Sequence, residues 1–378
     1  MTDKDTYQAE IFYNRISKKY KELKKWARKN RVTCFRLYDK DIPEVPLSVD
    51  VYEALPFDVD GPMEAARFLS AQNARISAND LTVENDIASR RYAVVYLYER
   101  PYEKDQNDEK EWLSLMCKQT AKLLNLQPDH IILKERKQQK GTKQYEKNEE
   151  QPLVITVSEC GALFKINLSS YLDTGLFFDH RPLRNIVRDE CSGKKVLNLF
   201  CYTGSFSVYA AGGNASGVES WDLSNTYLSW AKENLELNGF VEKSKYSFTR
   251  CDVIGMLEEK AKMNLSEKER FDIIILDPPT FSNSKMSKNI LDINRDWPKL
   301  VSDCLDLLNE NGKLYFSTNS KRLIFDESKL PQNTKYGFSI SAKDITSRTI
   351  DKDFEGSKCH KAWEISVKKP EPDQVIKF

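Results

Sequence analysis

The chain has 378 residues, 40% hydrophobic and 30% charged, with a formal net charge of +1. That length allows two or three domains around a large core. No apolar run approaches the roughly 20 residues that span a bilayer, and the polar start Met1-Thr-Asp-Lys-Asp-Thr is not a secretory signal. Eight scattered cysteines without a Cys-x-x-Cys pair, and only three histidines, argue against a metal site and for reduced thiols in a cytoplasmic protein. With so little net charge, any affinity for nucleic acid must come from local patches.

Residues 7–31 predict a basic amphipathic helix. Phe12, Ile16, Tyr20, Leu23 and Ala27 recur at helical spacing as one apolar face. Nine positive side chains between Arg15 and Arg31, including Lys18, Lys19, Lys24, Lys25 and Arg28, face the single acid Glu22. A solvated face mixes both signs, so this imbalance favours phosphate binding. Residues 32–165 predict an α+β domain with strands at Val32–Tyr38, Arg91–Tyr98, His130–Lys134 and Leu153–Val157 in one small sheet, and a helix from Glu111 to Leu126. Residues 58–90 predict an insertion with some helix over Met63–Asn73. A second basic run, 134–147, carries six positives, Lys137 and Lys140 among them, against two acids. It reads as a long exposed hairpin loop, either merely solvated or touching RNA.

From about 166 onward strand and helix alternate. Strands are predicted at 194–202, 215–221, 247–251, 271–276 and 313–319, with helices at 205–211, 224–238, 254–263 and 289–309. Two strands close the chain, Gly337–Thr349 and His360–Lys369. This alternation predicts an α/β, Rossmann-like parallel sheet.

Two strand ends carry the chemistry. Phe200-Cys-Tyr-Thr-Gly-Ser205 has one glycine at a strand-to-helix junction, where the backbone turns tightly and a ligand can approach. It is neither a Gly-x-Gly-x-x-Gly dinucleotide turn nor a Walker phosphate loop, so a cofactor without phosphate, S-adenosyl-L-methionine, fits better. Asp222 follows the next strand, eighteen residues after Gly204. Its carboxylate can accept both ribose hydroxyls; the competing roles are Glu219 as the acid and a helix cap, for which Ser224 is the better candidate. Asp252, at the end of the third strand, can reach an adenine amino group. Phe271-Asp-Ile-Ile-Ile-Leu-Asp-Pro-Pro-Thr-Phe281 ends the fourth strand. Asp277 can accept hydrogen bonds from a base, Pro278 and Pro279 stiffen the turn, and Phe281 either stacks on a flipped base or packs in the core.

These segments, with Tyr171-Leu-Asp-Thr-Gly-Leu-Phe-Phe-Asp-His-Arg181, Asn198-Leu-Phe-Cys-Tyr-Thr-Gly204, Trp221-Asp-Leu-Ser-Asn-Thr-Tyr-Leu-Ser-Trp230 and Phe316-Ser-Thr-Asn-Ser-Lys-Arg322, resemble the RlmI/RlmK group of ribosomal RNA methyltransferases, most closely its RlmK branch. The resemblance covers most of the chain apart from 58–90. It implies a class I methyltransferase sheet of seven strands with the last antiparallel. It also implies methylation of N7 of a guanine in 23S rRNA, naked or in a pre-50S particle. It puts Asp179, His180 and Arg181 near the cofactor, Arg181 at its carboxylate; the other reading of His180 is a structural histidine at a helix start. The cofactor set then comprises Asp179, His180, Arg181, Asn198, Phe200, Tyr202, Thr203, Gly204, Asp222, Asp252 and Asp277. In the m5C branch a cysteine after the fifth strand attacks the base; here Phe316-Ser-Thr-Asn-Ser320 holds none, and Cys201 and Cys304 read as packing residues. Exocyclic-amine enzymes place an aromatic directly after the prolines, where this chain has Thr280. The alternatives are a guanine-N2 or other base methyltransferase, and a ribosome-assembly factor with vestigial methylation.

Overall fold

A computed structural model describes residues 2–99, 105–136, 151–282 and 290–370. The chain divides into two compact units, Met1–Phe178 with Asp351–Ser357, and Asp179–Ile350 with Lys358–Phe378.

The first unit begins with α1, Asp3–Lys29. Its start is fixed by a capping box: Thr2 Oγ1 accepts from Asp5 N at 3.2 Å, and the Asp5 carboxylate accepts from Thr2 N at 2.9 Å. The helix therefore begins four residues before the start expected at residue 7. The apolar face is the one expected: Phe12, Ile16, Tyr20, Leu23 and Ala27 are buried against Phe35, Leu37, Val49, Val51, Trp112 and Met116. The sheet beneath has the order β1 (Cys34–Asp39), β2 (Leu47–Glu53), β3 (Arg91–Tyr98), β4 (Ile131–Arg136). The first two pairings are antiparallel, and β3/β4 is parallel. The crossover between β3 and β4 contains α4, Gln106–Leu124.

Three sequence expectations change here. β2 is absent from the predicted strands, because Ser48 and Asp50 interrupt its apolar run; both are buried, and Asp50 takes the Arg36 guanidinium at 3.1 Å. The strand expected at Leu153–Val157 is β5, Val154–Glu159, which pairs with β6, Ala162–Asn167, in a separate two-stranded sheet. Their turn places Cys160 at φ 52° and Gly161 at φ 90°, the left-handed pair that suits a tight hairpin. The basic run after β4 therefore joins two different sheets and is no hairpin loop; residues 137–150, with Lys137 and Lys140, lie outside the described residues. The 58–90 region forms two helices, α2 (Pro62–Ser77) and α3 (Val83–Ala88).

The second unit holds a seven-stranded sheet. In spatial order it runs β14 (Ser339–Asp344), β15 (Lys361–Lys368), β13 (Leu308–Thr318), β10 (Phe271–Leu276), β7 (Lys195–Leu199), β8 (Gly217–Asp222), β9 (Tyr246–Arg250). β7 to β10 and β13 are parallel neighbours, while β15 is antiparallel to both β13 and β14. The helices are α5 (Arg181–Glu190), α6 (Ser205–Gly212), α7 (Asn225–Leu237), α8 (Val253–Lys262) and α9 (Ile293–Leu305), with a short α10 (Thr346–Thr349). Leu197, Leu199, Ile274, Leu276, Leu314 and Phe316 point into one core. Val196, Val218, Ile273, Ile275 and Tyr315 point into the other. Burial on both faces explains why these strands read as continuous apolar runs.

The helix expected at 289–309 is shorter, because Phe281–Ser282 (β11) and Leu291–Asp292 (β12) pair first and Asp292 then caps α9. Its expected last residues belong to β13, which starts at Leu308. β7 and β10 are adjacent, yet β7 leads outward to β8 and β9 before the chain returns to β10. This is the switch point where open α/β sheets bind ligands, at the carboxyl ends of the strands.

Candidate active site

The turn after β7 is built from left-handed residues. Phe200 (φ 53°), Tyr202 (φ 50°) and Gly204 (φ 75°) alternate with ordinary ones. For non-glycine residues this is a sparsely populated conformation, held only where the surroundings over-determine it. Three anchors do so. Asp222 Oδ2 accepts from Tyr202 N at 3.0 Å, Asn234 donates to the Thr203 carbonyl at 2.9 Å, and Tyr202 packs edge-on against Tyr227 with ring centroids 4.6 Å apart. Asn198 is buried and donates to Ser207 Oγ, itself 2.8 Å from Ser220 Oγ, so a chain of polar groups ties β7 to α6 and β8. A Cβ on Gly204 would stand 2.7 Å from Ala231 Cβ. The tight approach at this glycine is thus to α7.

Asp222 sits half-buried at the end of β8, its other oxygen accepting from Ser224 N at 2.9 Å. Burial pushes its pKa up, against the pull of the backbone N–H groups of Ser224, Tyr202 and Leu223. Ser224 caps α7 through Tyr227 N, and Glu219 pairs with Lys195 at 3.1 Å. Asp252 is the N-cap residue of α8, without a side-chain capping bond.

The second turn leaves β10 next to β13. The register Leu276↔Phe316 brings Asp277 beside Ser317, whose hydroxyl donates to Asp277 Oδ1 at 2.6 Å. Asp277 Oδ2 lies 3.3 Å from His180 Nε2. Pro278 is buried, Pro279 and Thr280 are exposed, and Phe281 is 61% exposed, which removes the core-packing reading of Phe281. Asp179, His180 and Arg181 are all buried just before and at the start of α5. His180 stacks on His360, a residue that no motif or spacing ties to this turn, at 4.6 Å between ring centroids. Asp179, Cys359 and His360 bring possible metal ligands within 4.8 Å of one another. Both His360 nitrogens have hydrogen-bond partners in protein groups there, Asp179 among them, so hydrogen bonding accounts for the group.

Comparison with known proteins decides the family. A family profile described as S-adenosylmethionine-dependent methyltransferase matches residues 85–326. "Ribosomal RNA large subunit methyltransferase K" of Neisseria meningitidis is 38% identical over 94% of this chain and 87% of its own length. The chain belongs to this methyltransferase family. "Ribosomal RNA large subunit methyltransferase K/L" of Magnetococcus marinus is 36% identical over 95% of this chain, which spans 43% of that relative's length. Among solved structures, a methyltransferase complexed with SAH shares the fold at a TM-score of 0.63 and 21% identity, over 95% of this chain and 82% of its own.

S-adenosylmethionine is the cofactor of this methyltransferase, and the first turn suits it. The turn offers a fixed carboxylate, Asp222, and no cradle of glycine N–H groups for a phosphate. The methyltransferase's basic helix divides by exposure. Lys18, Lys21, Lys25 and Lys29 are exposed and recur at helical spacing opposite the apolar face. Lys19 shares Asp41 with Arg15, Arg28 lies 4.0 Å from Glu84, and Lys24 covers the Tyr20 ring. Of the second basic run, Lys134 and Arg136 turn inward. Lys134 donates to the carbonyls of Tyr171 and Leu172, and Arg136 pairs with Asp173 at 2.5 Å. Burial pushes the Lys134 pKa down to about 8.

Proposed function

We propose that this methyltransferase transfers a methyl group to N7 of a guanine in 23S rRNA, without a covalent enzyme–base intermediate. The observation that carries the reading is Asp277 at the switch point, with one oxygen pinned by Ser317 and no cysteine on the adjoining strand end. The large-subunit rRNA substrate follows the relatives' names. Bound S-adenosylmethionine supplies an electrophilic methyl on sulfonium.

Guanine N7 carries an in-plane lone pair and no proton, so the protein has only to orient the base and exclude water. Asp277 accepts from the N1 and N2 donors of the guanine edge. As N7 is alkylated the purine becomes cationic, so those bonds to a carboxylate strengthen toward the transition state. Phe281, exposed two residues past the prolines, stacks on the extruded base, worth ~1–3 kcal/mol. Asp222 holds the ribose of the cofactor. Burial pushes the Cys201 and Cys304 thiols up, and Cys251 up to about 11, which argues against a thiolate nucleophile. The lysine pole of α1 contacts the RNA backbone.

Asp277→Ala is expected to abolish transfer to unmodified 23S rRNA while calorimetric binding of S-adenosylmethionine stays within about twofold. Wild-type turnover in that variant contradicts the role of Asp277.

A further inference from the structure

His180 is only 2% exposed, and neither ring nitrogen makes a hydrogen bond. Buried polar groups are normally paired, so an orphaned imidazole at a switch point points to a role completed by another group. Its ring is fixed from two sides. One face stacks on His360 with centroids 4.6 Å apart and planes 27° apart, and Phe206 tilts toward it at 6.0 Å. His360 is itself tethered, Nδ1 lying 3.3 Å from the Asp179 carboxylate and Nε2 2.8 Å from Thr349 Oγ1. The clamp leaves His180 Nε2 3.3 Å from Asp277 Oδ2, near enough to bond but out of alignment. The opposite oxygen of Asp277 is held by Ser317.

We propose that His180 is a positioning residue for Asp277: the clamped imidazole donates from Nε2 to Oδ2 once the base is seated, and with Ser317 fixes the plane of the carboxylate. This rests on the base-holding role of Asp277 given above. It moves His180 from the cofactor to the substrate side of the site. A small rotation of the carboxylate about the Ser317 bond aligns the pair, and catalytic hydrogen bonds commonly tighten only in the complex.

The protonation state follows from the surroundings. Burial lowers the His180 pKa most; Asp277 and Asp179 raise it, and His360 and Arg184 lower it further. The ring is therefore neutral near neutral pH. Protonation makes it an ion-pair partner that competes with the guanine donors for Asp277, so turnover falls on acidification.

The test uses the full chain with unmodified 23S rRNA and labelled S-adenosylmethionine. His180→Phe keeps the stack and removes both nitrogens, while His180→Gln keeps a donor near the position of Nε2. His180→Phe is expected to lower kcat about tenfold or more, with cofactor affinity by calorimetry within about twofold. His180→Gln restores much of the loss and removes the acidic limb of the kcat profile. Wild-type kcat in His180→Phe overturns the proposal. So does a variant that weakens cofactor binding about tenfold with kcat intact at saturation. If His180→Phe fails to fold, the pH profile of His180→Gln decides, an unchanged acidic limb being contrary. Asp277→Asn separates the two readings. Inactive Asp277→Asn beside fully active His180→Phe sinks only this inference, whereas active Asp277→Asn sinks the base-holding role itself.

Discussion

At Gly204 two constraints coincide, a backbone φ of 75° and an Ala231 Cβ 2.7 Å from where a side chain would begin. Gly204→Ala is expected to destabilise the fold by about 1–3 kcal/mol, read as a lower denaturant midpoint at constant slope. Adding Ala231→Gly relieves the clash and should return part of the loss; an unaltered midpoint in the single variant contradicts the packing account. His180 gives a pH signature at the same scale. Its folded pKa lies below the unfolded 6.5, so the unfolded chain takes up the proton first. Its contribution to stability is full above 6.5 and is lost as pH falls from there toward the folded value. Thermal melts from pH 7 to 5 should show a smaller loss in His180→Phe than in the wild type. Asp222, Gly204 and Asp277 were legible in the sequence because each ends an apolar run with a residue type the chemistry needs. Ser317 and His360 were not. Ser317 meets Asp277 only through the β10/β13 register, and His360 meets His180 from the far end of the chain.

Elements were legible where one periodicity dominated. The apolar face of α1 follows directly from Phe12, Ile16, Tyr20, Leu23 and Ala27. β2 was hidden because its second face buries Ser48 and Asp50, polar residues satisfied by partners remote in sequence. The overlong helix expected at 289–309 came from apolar residues that serve α9 and β13 in turn. The charges of α1 were visible as a sum but not as pairs: Asp41 and Glu84 draw off Arg15, Lys19 and Arg28, leaving a pole of four exposed lysines. Replacing Lys18, Lys21, Lys25 and Lys29 by Gln should therefore weaken RNA binding more than replacing Lys19, Lys24 and Arg28. The slope of log affinity against log salt should fall by about 0.7 for each phosphate of a single strand that is no longer neutralised. Equal losses from both sets contradict the assignment of the pole.

Over the whole molecule the charge nearly cancels, so the proposed recognition of RNA must be local and strongly dependent on salt. No helix among the described residues is long and apolar enough to cross a membrane. The chain spans most of the Neisseria relative but less than half of the K/L relative from Magnetococcus marinus. The proposed reaction needs only the cofactor turn, the Asp277 turn and a basic surface, all carried by this chain, so the chain as given should suffice for it. The central claim is tested most directly by incubating the purified chain with 23S rRNA from a strain lacking the gene, then mapping modified nucleosides by mass spectrometry. The predicted product is 7-methylguanosine at one position, absent with Asp277→Ala. A 2-methylguanosine or 5-methylcytidine product, or no methylated nucleoside at all, would contradict the account.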